Sequence, residues 1–127
     1  MQDKHVFEYA IIRVLPKVER GEFINIGVVL YCSAQRFLQV KYELNTNKLL
    51  SLFADVNIAE IEQILSAFDK ICCGGKQGGD IGLLPLASRF RWLTAAKSTI
   101  IQTSAVHPGL TSNAAETLDR LFAQLVL

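Results

Sequence analysis

Alternation of hydrophobic and polar positions predicts three strands in the first third of the chain. The run VFEYAIIRVL over residues 6–15 is rich in aromatic and β-branched residues, and Pro16 ends it. A second apolar run, FINIGVVLYC, covers residues 23–32, and residues 36–44 alternate strictly, as in a strand with one wet face. Because the connections are short, we expect an antiparallel meander.

A helical spacing of apolar residues replaces this alternation in the second half. Asn57 followed by Glu60 is typical of a helix start, and the apolar stripe behind them predicts a helix over residues 58–73. A similar asparagine-capped stripe predicts a last helix over residues 113–126.

A later run, STIIQT over residues 98–103, predicts a fourth strand. We read GGKQGGD, residues 74–80, as a flexible connection and SAVHPGLTS, residues 104–112, as a loop. The expected fold is therefore α+β, with a mainly antiparallel sheet of three meander strands and a later fourth strand, packed with helices. Since no linker interrupts the pattern, residues 1–127 are expected to form a single domain.

Composition narrows the possible functions. Half of the 127 residues are hydrophobic and the formal net charge is +1, so strong attraction to nucleic acid or to a membrane is not expected. No apolar run is long enough to span a membrane, and the chain start lacks a signal-peptide pattern. Three cysteines are a poor disulfide framework, and we expect reduced thiols in the cytoplasm.

Polar residues at the facing ends of the first two strands form a candidate site. Arg13 closes the first strand, Arg20 and Glu22 lie in the loop, and Asn25 opens the second strand. Arginine binds carboxylate or phosphate bidentately, so this corner has one interpretation as an anion or nucleotide site. The other is structural, in which an arginine–glutamate ion pair holds the loop and Asn25 satisfies a turn.

A second polar group follows the fourth strand. Ser98, Gln102 and Ser104 are expected on one strand face, and the line ends at His107. A histidine there can act as a general base, although His-Pro-Gly is equally typical of a turn. A nucleophile–base pair also needs an orienting acid and an oxyanion pocket, and the sequence has no nucleophile-elbow string.

We hypothesise that Arg13, Glu22, Asn25 and His107 meet in one cleft, where His107 and Glu22 are the candidates for acid–base catalysis. No metal is expected, because the two histidines are far apart in sequence and the motif Cys72-Cys73 lacks the spacing of a zinc site. No cofactor is expected either, since GGKQGG lacks the spacing of a phosphate-binding loop.

Long stretches of the chain resemble a known family. The stretches are YAIIRVLPKVERGEFINIGVVLYC, then RFLQVKYEL, then RFRWLTAAKSTIIQTSAVHPGL. Together they resemble the bacterial domain of unknown function family 3037. The resemblance implies no assigned activity, but it implies a protein partner with a kinase-like fold similar to the HipA toxins, beside which such proteins are often encoded. The recurring polar positions of the family match Arg13, Arg20, Glu22, Asn25, Ser98, Gln102 and His107.

Two functions from different classes follow. The first is a non-enzymatic protein-interaction module that binds a HipA-like kinase-fold partner through a sheet edge or the polar corner. The second is a small enzyme or ligand-binding protein that acts on a phosphate-bearing or nucleotide substrate through an arginine, glutamate and histidine cleft. If the Arg13 guanidinium and the His107 ring point into one cleft, the second function is favoured, whereas a position on opposite faces of the sheet would favour the first.

Overall fold

In the computed structural model, which describes residues 3–16, 20–97 and 99–127, an antiparallel sheet lies between two helical layers. The strands are β1 (His5–Val14), β2 (Ile24–Cys32), β3 (Phe37–Tyr42), β4 (Ile101–Thr103) and β5 (His107–Thr111). The helices are α1 (Thr46–Leu52), α2 (Ile58–Cys73), α3 (Gly79–Gly82), α4 (Leu86–Thr94) and α5 (Ala114–Leu125). The predicted α+β class is confirmed. None of the described helices is both long and apolar enough to cross a membrane.

The central strand is β1, in the order β3-β2-β1-β4, and β5 also pairs with β1. The two late strands share one side of β1, because β5 pairs with its first half and β4 with its last residues. The prediction that residues 104–112 form a loop was wrong for the segment that forms β5. Pro108 lies in a strand that pairs on one side only, where a missing N–H need not interrupt a ladder.

A bulge in β2 changes the expected alternation. The register with β1 shifts between Ile12, which pairs with Gly27, and Arg13, which pairs with Asn25, so Ile26 is the extra residue. Asn25 and Gly27 therefore lie on opposite faces, although simple alternation places them on the same face. A Cβ atom at Gly27 would lie 2.8 Å from the Cβ of Tyr42, so the close approach of β3 requires glycine there.

The sheet is buried on both faces. On one face, α2 and α4 pack against β1 and β2 in the larger core, which includes Ile12, Val29, Phe68 and Phe90. On the other face, α5 packs over β2 and β3 in a smaller core built around Leu30 and Leu118. The arrangement explains why β1 and β2 carry apolar residues at odd and even positions alike.

The start and end of α2 are fixed by local hydrogen bonds. The Asn57 side chain accepts a hydrogen bond from the Glu60 N–H at 3.1 Å, as predicted for the helix start. At the other end, Arg89 Nη1 donates to the carbonyls of Ile71 and Cys72 at 2.9 and 3.0 Å. The segment expected to be a flexible connection instead forms a 3-10 turn at Lys76–Gly78 and then α3.

Replacing Phe68 by alanine tests the larger core. The side chain is 2% exposed and lies in the middle of the apolar stripe of α2. We expect Phe68→Ala to lower the free energy of unfolding by about 3–5 kcal/mol, because it leaves a cavity in a packed core. Chemical denaturation measures this change, with Glu62→Ala on the exposed side of the same helix as the control, expected within about 0.5 kcal/mol of the parent. An unchanged Phe68→Ala midpoint would contradict the assignment.

Candidate functional site

The sheet face that carries α5 is less completely covered beside β4 and the start of β5 than over β2 and β3. The helix packs mainly over β2 and β3. On this face His107 is exposed and Tyr9, Arg13 and Gln102 are half-buried, whereas Phe7 and Ile11 of β1 are buried. Directly opposite residues of an antiparallel pair share a face, and the register places Gln102 opposite Arg13 and His107 opposite Tyr9. We call this surface the open strip, and define it by Tyr9, Ile11, Arg13, Gln102 and His107.

Arg13 is held at one end of the open strip by a chain of hydrogen bonds. Its Nε donates to Asn25 Oδ1 at 3.3 Å, and Asn25 Nδ2 donates to the carbonyl oxygen of Leu125 at 3.2 Å. The end of α5 is thereby attached to the sheet. The guanidinium carbon also lies 4.2 Å from the ring centroid of Phe23, which is 47% exposed. The structure thus brings Arg13 and Asn25 together.

Glu22 pairs with Arg20 and does not join Arg13 and Asn25. Its carboxylate accepts from Arg20 Nη2 at 2.8 Å in an ion pair whose side chains are more than half exposed. Gly21 between them has a left-handed φ of 70°, and the resulting turn lets the neighbouring arginine reach the carboxylate first. The pair borders a cavity of about 190 Å³ between Pro16 and the segment 52–56 that joins α1 to α2.

His107 is on the same face as Arg13 but not beside it. The imidazole is exposed, and its ring centroid is 5.4 Å from that of Tyr9. Tyr9 and Arg13 are four residues apart on β1, a distance of about 13 Å along an extended strand. The hypothesis of one cleft shared by Arg13, Glu22, Asn25 and His107 is therefore wrong, because the register of β5 fixes His107 at Tyr9.

The predicted polar line after residue 98 has mainly structural contacts. Ser98 lies outside the described residues, and Gln102 Nε2 donates to the carbonyl of Thr99 at 3.2 Å. Ser104 is 7% exposed, and its Oγ accepts the N–H of Ile11 at 2.8 Å while its own N–H donates to the Ile11 carbonyl. The Ser104 hydroxyl thereby takes the place of a backbone carbonyl as the acceptor for Ile11, which lies between the part of β1 paired with β4 and the part paired with β5.

The contacts of two aromatic residues were missed in the sequence analysis, Tyr9 in the open strip and Phe23 beside its Arg13 end. Tyr9 reads as an ordinary apolar strand residue, and Phe23 as the first residue of β2. Their proximity to cationic or titratable side chains depends on strand register, which the alternation pattern does not specify. The sequence feature that could have indicated the contact between Phe23 and Arg13 is the position of Phe23, two residues before Asn25 at a strand end.

In the part of the chain that the structure describes, the cysteines and acidic residues are not grouped as a metal site. All three cysteines are free thiols, and only Cys73 is exposed. Burial, with a smaller effect of Asp69, raises the pKa of Cys72 to about 12, so this thiol stays protonated near neutral pH. Within residues 3–16, 20–97 and 99–127, no three histidine, cysteine, aspartate or glutamate side chains are grouped so as to hold a metal ion.

Comparison with known proteins agrees with the long stretches noted in the sequence. The model of the family described as Protein of unknown function (DUF3037) matches residues 9–126, which is nearly the whole chain. No curated protein and no solved structure matches the chain.

Ser104→Ala tests the hydroxyl that completes the pairing of β1. The substitution leaves the buried N–H of Ile11 without its acceptor, and we expect a loss of about 1–3 kcal/mol in the free energy of unfolding. Amide hydrogen exchange should accelerate at Ile11 more than at Ala10, whose pairing with β2 does not involve the hydroxyl. Unchanged exchange at Ile11 would show that water or another group replaces the hydroxyl.

Thiol labelling tests the burial of the cysteines. At pH 8 a thiol-specific reagent should modify Cys73 rapidly in the folded protein, whereas Cys32 and Cys72 should react only after unfolding. In the folded state, Cys72 should react much more slowly than Cys73 at the same pH, because burial raises the pKa of Cys72 to about 12 and the thiolate is the reactive form. Mass spectrometry of labelled peptides identifies the site, and early labelling of Cys72 would contradict the structure.

Proposed function

The chain belongs to the DUF3037 family, and we propose that it is a non-enzymatic interaction module that binds a partner protein through the open strip. One observation carries the proposal, namely the half-buried arginine that lies on an exposed aromatic ring at one end of the open strip. An aromatic–histidine pair lies on the same face farther along β1. Arginine and tyrosine are among the residues most enriched at binding hot spots of protein interfaces.

Arg13 is suited to bind an anionic group. Asn25 takes the Nε hydrogen bond and Phe23 covers one side of the guanidinium, so its orientation is fixed before binding. Among the residues that the structure describes, none accepts a hydrogen bond from Nη1 or Nη2 of Arg13. These donors are therefore available to a carboxylate or phosphate of the partner, which an arginine can bind bidentately.

The length of the open strip favours an extended segment as the bound element. An extended chain advances about 3.3 Å per residue, so about four residues span the 13 Å between the level of His107 and that of Arg13. Tyr9 is half-buried and supplies an apolar surface near the His107 end, whereas Ile11 between Tyr9 and Arg13 is buried. The expected occupant is a segment with an acidic or phosphorylated residue near Arg13 and an apolar or aromatic residue near Tyr9.

The neighbouring edge of the sheet is less suited to binding. Pro108 in β5 has no N–H to donate to an added strand. In β4, the Ile100 carbonyl accepts from Leu15, so the Ile101 carbonyl points away from β1, and the Thr99 hydroxyl already donates to it at 2.7 Å. The sequence suggested a sheet edge or the polar corner, and the Arg13 end of the open strip, which belongs to that corner, has more support than this edge.

The alternative, an enzyme or ligand-binding protein for a phosphate-bearing or nucleotide substrate, has less support. General acid–base catalysis needs both groups within hydrogen-bond reach of the reacting atoms. Glu22 pairs with Arg20 beside a separate cavity, whereas His107 lies at Tyr9. The separation of these candidates favours the interaction module.

The partner that we propose follows from the family resemblance. The resemblance implies a protein partner with a HipA-like kinase fold, and we propose such a protein as the occupant of the open strip. Co-expression of the two chains, followed by size-exclusion chromatography of the mixture, tests whether they form a complex.

Arg13→Met separates a binding role from a folding role. Methionine keeps much of the apolar stem but removes the guanidinium, so we expect the domain to stay folded. Binding to the proposed kinase-fold partner should weaken by about 1.5–3 kcal/mol, the worth of a charge-assisted hydrogen bond. Isothermal titration calorimetry measures the affinity, and thermal unfolding verifies the fold.

Arg20→Met is the matched control, because Arg20 forms an exposed ion pair away from the open strip. The affinity of Arg20→Met for the partner should remain within about twofold of that of the parent chain, since exposed ion pairs contribute little to stability. The proposal fails if both variants lose affinity equally, or if Arg13→Met loses affinity only in proportion to its loss of folded protein.

A further inference from the structure

The opposite edge of the sheet carries an unpaired row of backbone groups. β3 is the last strand on this side of the described sheet. The Glu43 N–H donates to the Ile26 carbonyl. Because backbone groups alternate in direction along an antiparallel strand, the N–H and C=O groups of odd-numbered residues of β3 point toward β2. Leu38, Val40 and Tyr42 therefore each direct one N–H and one C=O away from the sheet. The segment contains neither proline nor glycine that would interrupt a further ladder.

A groove runs beside this row, between β3 and the last turns of α2. Its volume is about 380 Å³. It is lined by Leu38, Gln39, Val40, Asp69, Cys72 and Cys73. The apolar part of the lining comes from Leu38, Val40 and the buried Cys72, whereas Asp69 supplies a carboxylate.

Asp69 is held in place at the groove. The Tyr42 hydroxyl donates to its Oδ2 at 2.7 Å, and this hydrogen bond is the main reason that the pKa of Tyr42 is raised to about 12. The phenol thus stays protonated at neutral pH and continues to donate. The carboxylate is exposed and offers its other oxygen to a cation.

We propose that this groove binds an extended strand of a partner protein, with alternating apolar residues and a lysine or arginine opposite Asp69. The outward backbone groups of β3 would pair with the strand, as in other cases where a peptide extends a sheet. The apolar side chains would contact Leu38 and Val40, and the cation would contact the Asp69 carboxylate. This site is distinct from the open strip, because β3 and the β4–β5 side are opposite edges of the sheet.

A second copy of the chain fits this edge less well than a single strand. Two β3 strands paired antiparallel would lie about 4.8 Å apart, and the same symmetry places both α2 helices on one face. Because α2 packs directly over β3, the two helices would approach closer than the 8–10 Å that packed helices require. A peptide strand brings no helix with it, so it avoids this conflict.

The experiment uses the full chain with a capped synthetic peptide of alternating valine and threonine and a central arginine. Binding should shift and protect the backbone amides of Leu38, Val40 and Tyr42 in nuclear magnetic resonance spectra. The amides of Gln39 and Lys41, which already pair with β2, should change less. Absence of any change at the three outward amides would overturn the proposal.

Two variants of the peptide test the chemistry of recognition. Methylation of the peptide amides that face β3 should weaken binding about tenfold or more, because backbone hydrogen bonds are lost. Replacement of the central arginine by norleucine should weaken binding to the parent chain but not to Asp69→Asn, which keeps an acceptor for Tyr42. Equal binding of the methylated and unmethylated peptides would show that the groove does not extend the sheet.

Variants of the protein locate the edge. Val40→Pro removes an outward N–H but no hydrogen bond to β2, and it should abolish binding, whereas Val40→Thr should retain it. If Val40→Pro fails to fold, the methylated peptide still decides the outcome. Protection of the three amides without peptide, increasing with protein concentration, would assign the edge to a second copy instead. Arg13→Met should leave peptide affinity unchanged, so failure here is distinct from failure at the open strip.

Discussion

The rest of the structure depends on satisfying the backbone of β1, which is buried in the middle of the sheet. Its side chains enter both cores, so water cannot serve its N–H and C=O groups. β2 pairs along most of one side, but β4 and β5 share the other and leave an interval between them. The Ser104 hydroxyl fills this interval by accepting the Ile11 N–H, which allows the chain to leave β4 and return as β5. The position of His107 opposite Tyr9 follows from that return.

The bulge in β2 is the second constraint, and it determines the candidate site. In a regular strand with Ile26 paired, alternation would place Asn25 on the α2 and α4 face with Gly27. The bulge turns Asn25 to the other face, where it accepts from Arg13 and donates to the end of α5. Gly27 permits the close approach of β3 at the same point. One local irregularity therefore orients the arginine, attaches the last helix and brings the edge strand close.

The sequence was sufficient to predict the strands and helices whose hydrophobic periodicity is strong. It was insufficient to predict side-chain contacts that depend on the register between strands. The three meander strands, α2 and α5 follow from alternation and from asparagine caps. β5 was missed because the Pro-Gly pair resembles a turn, whereas an edge strand tolerates it. The pairing of Arg13 with Asn25 was foreseeable from a short connection between antiparallel strands. The ion pair of Glu22 with Arg20 and the distance of His107 from Arg13 could not be predicted, because alternation specifies neither the loop conformation nor the offset between paired strands.

The width of the sheet explains why a binding face should lie beside β1. A packed helix has a diameter of about 10 Å and neighbouring strands are about 4.8 Å apart, so one helix covers roughly two strands. Two helices, α2 and α4, cover one face, but α5 alone covers the other and packs mainly over β2 and β3, with Thr117 also contacting Thr111 of β5. The chain must either make the remaining surface fully polar or use it. That surface brings together a half-buried tyrosine, an exposed phenylalanine and an oriented guanidinium. A partner that covers it would therefore bury aromatic surface and bind the arginine at the same time.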